Sequence, residues 1–266
     1  MPTITTTATI AATIAIATTR TRMGMTIRMA AEPQPASAAP LPAAGLYRLM
    51  AWLSPSFPVG SFAYSSGLEW AVEAGDVRDA ASLRGWLAVM VAEGGLFCDA
   101  ALFVHAHGAV VRDDAAHVAE TAELALALAP SRERFLETVT QGKAFVMAVR
   151  SAWPCAALDR LPLGPDGAIA YPVAVAVAAA GHGIPLAPAL HAFMHALVAN
   201  LISAGVRLVP LGQTDGQRVL AALEDPIAAA AARAQATPLD AIGSAAFRAD
   251  LAAMRHETQY TRLFRS

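Results

Sequence analysis

The chain has 266 residues and a formal charge of −2, enough length for one large domain or two small ones. With a pI near 6.4 it lacks the basic surplus of nucleic-acid-binding proteins, and that class is excluded. Hydrophobic residues make up 56% and charged residues only 15%, but much of the apolar excess is alanine, which a helix accepts on any face.

Lys143 is the only lysine among 19 basic residues, a skew that fits a GC-rich coding bias better than a function. Cys98 and Cys155 are far apart and form no paired pattern. Neither a disulfide framework nor a zinc site is indicated, and a reducing cytoplasm is the expected compartment.

Residues 1–45 differ from everything after them. They are rich in Thr, Ala and Ile, carry Arg20, Arg22 and Arg28, and hold no acidic residue before Glu32. The composition imitates a transit peptide, but it has no secretory apolar region followed by a cleavage site. Glu32 to Pro42 reads as a proline-alanine linker. A disordered extension is expected, with Met23, Met25 or Met29 as alternative start positions.

Leu53 to Trp70 is the most chemically specified stretch. Pro55 and Pro58 fix φ and remove two amide donors, so the first half is not helix interior. Gly60 and Gly67 permit backbone angles or close approaches that a Cβ forbids. Phe57, Phe62 and Tyr64 lie between them, in a chain with only 6% aromatic residues. Ser65 or Ser66 then offers a cap for a helix starting near Gly67. The stretch reads as an ordered aromatic loop entering a helix.

Helical periodicity dominates thereafter. Leu83, Trp86, Leu87, Met90 and Val91 form the stripe of a core-facing helix, which Gly94 and Gly95 kink or end before Leu96 to His107. Arg112 to Ala129 is expected as one helix stopped by Pro130. Ser131 caps the next, with Phe135, Val139, Gly142, Val146 and Val149 inward. Trp153 to Gly167 holds three prolines and two glycines and reads as a loop. Tyr171 to Ala180 alternates Val and Ala like a buried strand, but its helical neighbours favour helix. Leu190, Phe193, Met194, Leu197, Val198 and Leu201 form the strongest stripe, and Asp215 to Ala234 and Leu239 to Met254 complete the set. With no βαβ alternation or hairpin signal, the expectation is all-α: one helical-bundle domain of about ten helices over residues 46–266. Leu186 to Leu211 comes nearest to a membrane span, but two prolines, His191, His195, Asn200 and Arg207 interrupt it. No stretch is expected to cross a membrane, which requires about 20 apolar residues.

Catalytic patterns are absent. Gly212 to Gln217 has the glycines of a phosphate loop without the Lys-Ser or Lys-Thr pair, and no Gly-x-Ser-x-Gly elbow occurs. Thr214 or Asp215 is better read as a cap for the following helix, on which Gln213 and Gln217 share a face. His191 and His195 have the i, i+4 spacing of two metal ligands but lack the glutamate of a zincin, so they are expected as packed or capping histidines. His105 and His107 fall on opposite helix faces, and Glu69 and Glu257 have no partner in view. Neither a catalytic residue nor a cofactor is indicated.

Three stretches carry a resemblance. Ser54 to Glu69, reading Ser-Pro-Ser-Phe-Pro-Val-Gly-Ser-Phe-Ala-Tyr-Ser-Ser-Gly-Leu-Glu, is similar to the signature of the urease accessory protein F family. Arg207 to Gln217 and His256 to Ser266 resemble that family too, in its order and at about its spacing. The resemblance covers residues 46–266 and leaves the N-terminal extension outside. It implies a helical, non-catalytic chaperone for nickel insertion into apo-urease, which forms homodimers and bridges the D (or H) accessory protein and the GTPase G protein. Nickel binding by the family is implied without assigned ligands, and neither a membrane nor a nucleic acid is among the implied partners. On the matched stretches the candidate partner-binding residues are Phe57, Phe62, Tyr64, Glu69, Gln213, Gln217, Arg255, Tyr260, Arg262, Leu263, Phe264 and Arg265. The tail from His256 is expected to be mobile in the free protein and to fold on meeting the D/H protein. The alternative is a small all-α enzyme or ligand-binding protein with an apolar pocket between helices.

Overall fold

The structure, a computed structural model, describes residues 41–266. The expected extension lies, through residue 40, outside the described residues. The first helix, α1 (Ala43–Trp52), begins three residues before the expected domain start at 46.

Eleven further α-helices follow: α2 (Leu68–Glu73), α3 (Ala80–Glu93), α4 (Gly95–Val111), α5 (Ala115–Ala127), α6 (Arg132–Ala152), α7 (Ala156–Asp159), α8 (Tyr171–Gly181), α9 (Leu186–Leu208), α10 (Gln213–Ala222), α11 (Glu224–Ala236) and α12 (Phe247–His256). No strand occurs among the described residues, so the all-α reading stands.

Local chemistry sets the boundaries. The Asp79 carboxylate accepts from Ser82 N at 2.8 Å to start α3. Ser131 Oγ accepts from Arg134 N at 3.2 Å to start α6, the cap expected from the sequence. Gly94 separates α3 from α4. The single helix expected from Arg112 to Ala129 is broken instead. Asp113 takes a positive φ of 54°, and the Asp114 carboxylate caps α5 by accepting from His117 N. The Asp215 to Ala234 helix is likewise divided at Leu223, and the Trp153 to Gly167 loop contains the short helix α7.

Helices α4 and α8 occupy the middle. α4 contacts α3, α5, α8, α9 and α11, and α8 contacts α4, α5, α6, α7 and α9. Every residue from Tyr171 to Ala179 is buried, which the small Val-Ala pattern permits because backbones approach closely over alanine. Gly142 on α6 shows how close: a Cβ there would sit 2.1 Å from the Ile169 carbonyl oxygen. An aromatic chain ties the bundle together. Trp52 meets Phe145 edge-on at 5.9 Å, Phe145 meets Tyr171 at 5.8 Å, Tyr171 meets Phe193 at 5.7 Å, and Phe193 meets Phe103 at 5.1 Å. Truncating any one of these rings to alanine costs roughly 3–5 kcal/mol.

No stretch was expected to qualify as a membrane span, yet by length and apolarity alone two do. The stretch Ala80–Val111, which is α3 and α4 with the break at Gly94 between them, and helix Leu186–Leu208 both meet the length and apolarity criterion. Their most apolar windows are 61% and 50% buried inside the bundle. A core helix meets that criterion for the same reason as a membrane span: it is apolar on most of its faces.

Candidate functional site

The opening stretch and residues 256–266 pack against each other. Gly67 takes a φ of +81°, and a Cβ on it would lie 2.6 Å from Ala253 N, so α12 crosses directly over this glycine. The tail then runs back along residues 63–66. Arg265 N donates to Ala63 O at 2.8 Å, and Ser65 N donates to Ser266 O at 2.9 Å. The hydroxyl of Ser65 also donates to Ser266 O, and Ser66 N donates to Ser266 Oγ at 3.3 Å.

Two polar clusters fix this arrangement. The first centres on Glu69, whose carboxylate accepts from Leu263 N at 2.6 Å, Phe264 N at 2.9 Å and His256 Nε2 at 3.1 Å. The other nitrogen of His256 donates to Glu133 Oε2 at 2.6 Å, and Arg262 donates to Glu133 Oε1 at 2.6 Å. Both nitrogens of the fully buried His256 ring thus face carboxylate oxygens. Glu257 adds a further tie, accepting from Arg132 N at 2.7 Å in the first turn of α6, where the helix dipole favours a carboxylate.

The second cluster centres on Arg134. Its guanidinium reaches Glu137 at 2.5 Å, Ser66 Oγ at 2.8 Å and Asp99 at 3.9 Å. Glu137 in turn accepts from Ser266 Oγ at 2.6 Å. Burial alone would lower the Arg134 guanidinium, but Glu137 and Asp99 more than offset it and hold it above its usual value. Burial pushes the Asp99 carboxyl up to about 6, with Arg134 opposing and Glu137 reinforcing. Asp99 and Arg134 also line two cavities. One, of about 200 Å³, lies under the opening stretch among Trp52, Val59, Phe62 and Asn200. The other, of about 70 Å³, lies beside Cys98 and Asp250.

Several expectations change here. Tyr64 is buried and does not offer its ring to a partner. Phe57 is half-buried against Phe145 at 5.6 Å, so of the three aromatics only Phe62, 65% exposed, faces solvent. Glu69 is not an isolated carboxylate but the buried clamp of the tail. The tail is docked, not free: Phe264 and Ser266 are buried, and the Arg207 guanidinium stacks over the Phe264 ring at 4.5 Å. Tyr260 and Leu263 project from this fixed backbone, fully exposed and 66% exposed, with Arg255, Arg262 and Arg265 exposed around them.

Gln213 and Gln217 are both exposed on α10, whose start Asp215 supports by accepting from Gly212 N at 3.3 Å. That helix packs on α3, α9 and α11, whereas α12 packs on α2 and α6; the glutamines are not brought to the tail. His191 and His195 are exposed instead of packed. His191 Nδ1 donates to Ala187 O at 2.8 Å, and no third ligand joins the pair among the described residues. Among the described residues, no group of three or more His, Cys, Asp or Glu could hold a metal ion.

Sequence reasoning missed Glu133, Arg134, Glu137, His256 and Ser266. One signal was available: Glu137 and Gln141, at i, i+4 on α6, fall beside the inward stripe and are both buried. Charged residues on a core face require partners, but nothing local names those partners.

Comparison with known proteins gives a consistent result. The family model described as UreF matches residues 77–224. The urease accessory protein UreF of Bradyrhizobium sp. (strain ORS 278) is 62% identical over 232 residues, covering 87% of this chain and 96% of that protein. The urease accessory protein UreF of Rhodopseudomonas palustris (strain BisB5) is 62% identical over 237 residues, 88% of this chain and 98% of that protein. The protein of the same name from R. palustris (strain TIE-1) is 59% identical and is covered completely.

Proposed function

Because the chain belongs to the UreF family of urease accessory proteins, with a role in urease maturation and no enzymatic activity of its own, we propose that it is the scaffold of the maturation complex. In this reading it works in the cytoplasm as a homodimer and bridges the D (or H) accessory protein and the GTPase G protein. Apo-urease is reached through the assembled complex, and nickel is the cargo.

The observation that carries this reading is the outer face of α12 and the tail after it. Phe247, Leu251 and Met254 are exposed at i, i+4 and i+7 on α12, and Tyr260 and Leu263 are exposed on the tail that follows it. Contiguous exposed apolar residues mark interaction surfaces, and aromatic and arginine side chains are the usual anchors of interfaces. Glu69 and Ser65 already fix the tail backbone, so a partner that docks here has little ordering entropy to overcome. Phe62 adjoins the same region: its carbonyl accepts from Arg207, the residue stacked on Phe264. We assign this surface to the D/H protein. Gln213 and Gln217, standing apart on α10, are assigned to the GTPase.

Co-expression tests the reading. The D/H protein and the GTPase are expected to co-purify with this chain as one complex by size-exclusion chromatography, and to remain separate when it is omitted. Assembly of the two partners without it would contradict the bridging role.

A further inference from the structure

Away from the tail, His105 on α4 and His117 on α5 face each other with His105 Nδ1 and His117 Nε2 3.1 Å apart. Hydrogen-bond accounting makes this contact unusual. His105 Nε2 lies 2.9 Å from the carbonyl oxygen of Thr237, the residue that follows α11. That oxygen only accepts, so Nε2 carries the hydrogen. His117 Nδ1 lies 3.2 Å from Glu120 Oε2, which in its carboxylate form also only accepts, so Nδ1 carries the hydrogen there. A neutral imidazole has one such hydrogen. Both neutral rings have therefore committed it outward, and the two nitrogens that face each other carry bare lone pairs. Two lone pairs 3.1 Å apart are satisfied only by a cation between them.

We propose that the His105–His117 pair is a binding site for a divalent transition-metal ion that favours imidazole ligands, of the nickel, copper and zinc class. A metal–nitrogen bond of 2.0–2.1 Å separates two adjacent ligand nitrogens by about 2.9 Å in octahedral geometry and about 3.3 Å in tetrahedral geometry, and the observed 3.1 Å falls between. Each ring's outward hydrogen bond is the support expected around a metal-ligating histidine: a carboxylate behind one and a backbone carbonyl behind the other. The ion replaces the proton that otherwise occupies the gap. Water completes its coordination, because among the described residues no third His, Cys, Asp or Glu joins the pair. Both rings are partly exposed, which leaves room for water and a path of entry. The site joins α4, α5 and the end of α11, and it is separate from the exposed His191 and His195.

Nickel chloride titrated into untagged, metal-stripped protein tests this by equilibrium dialysis. One saturable site is expected, weakened at least tenfold in His117→Ala and by about tenfold in Glu120→Gln, since removing the outer partner of a ligating histidine typically costs 10- to 100-fold. It is expected unchanged in the His191→Ala, His195→Ala double variant. Glu120 is exposed, so its variant keeps the fold even if His117→Ala does not. On the unmodified protein, paramagnetic broadening of the ring signals is expected first at His105 and His117. Undiminished binding in His117→Ala, absence of saturable binding in the unmodified protein, or broadening confined to His191 and His195 would overturn the proposal.

Discussion

Glu69→Gln perturbs the tail clamp with almost no change of shape. In the native protein Leu263 N donates to Oε1, while Phe264 N and His256 Nε2 both donate to Oε2. An amide keeps one acceptor oxygen and replaces the other with a donor. If its oxygen stands in the place of Oε2, the NH2 meets the N–H of Leu263; if it is flipped, the NH2 meets both Phe264 N–H and His256 Nε2. Either way at least one buried donor is left without an acceptor, at about 1–3 kcal/mol. Bonds that were charge-assisted become neutral and roughly half as strong, and His256 loses one of its two flanking carboxylates. Together these give a destabilisation of about 3–4 kcal/mol, a large share of the 5–15 kcal/mol typical of a domain. At about 2–4 °C per kcal/mol for a chain of this size, the circular-dichroism melting temperature is expected to fall by about 10 °C at pH 7. Amide exchange at Leu263 and Phe264 should rise in parallel. A variant melting within about 2 °C of the parent, with those amides still protected, would refute the clamp.

Gly142→Ala forces a Cβ to within 2.1 Å of the Ile169 carbonyl; displacing α6 from the start of α8 is expected to cost about 1–3 kcal/mol or more, read as a lower urea midpoint. Burial pushes the Cys98 thiol up to about 12, with Asp99 and Asp250 adding to it, so at pH 8 Ellman's reagent should leave Cys98 unmodified until the protein is unfolded. Asp99 supplies a pH dependence. Its folded value of about 6 lies above the ordinary 3.8, so its contribution to stability is fully present below pH 3.8 and is lost as pH rises toward 6. The shift corresponds to roughly 3 kcal/mol at 1.36 kcal/mol per unit, spread over that pH interval. Asp99→Asn should flatten the fall in urea stability between pH 4 and 7, and an unchanged slope would count against the assignment.

What the sequence made legible were features written into neighbouring residues. The α3 stripe from Leu83 to Val91, the break at Gly94 and the Ser131 cap depend on spacings of three or four positions, and all appear in the structure. The break at Asp113 went unseen because it rests on one non-glycine residue at positive φ, a conformation that is uncommon even for aspartate, which adopts it more readily than most. The clamp went unseen for a different reason. Glu69 bonds residues 187 to 195 positions away, and periodicity carries no information at that range. Tyr64 was misplaced because a loop aromatic reads alike whether it anchors a partner or fills the core beneath the loop. Family resemblance located the right stretches without saying which side chains point inward.

The central claim is that a fixed tail presents Tyr260 and Leu263 to the D/H protein. The most direct test is the affinity of the Tyr260→Ala, Leu263→Ala double variant for that protein, measured by biolayer interferometry beside its melting temperature. Both side chains are solvated in the free chain, so the melting temperature should stay within about 2 °C of the parent. Loss of two interface anchors at about 1–2 kcal/mol each should weaken binding by roughly thirtyfold or more. Unchanged affinity in a normally folded variant would contradict the claim.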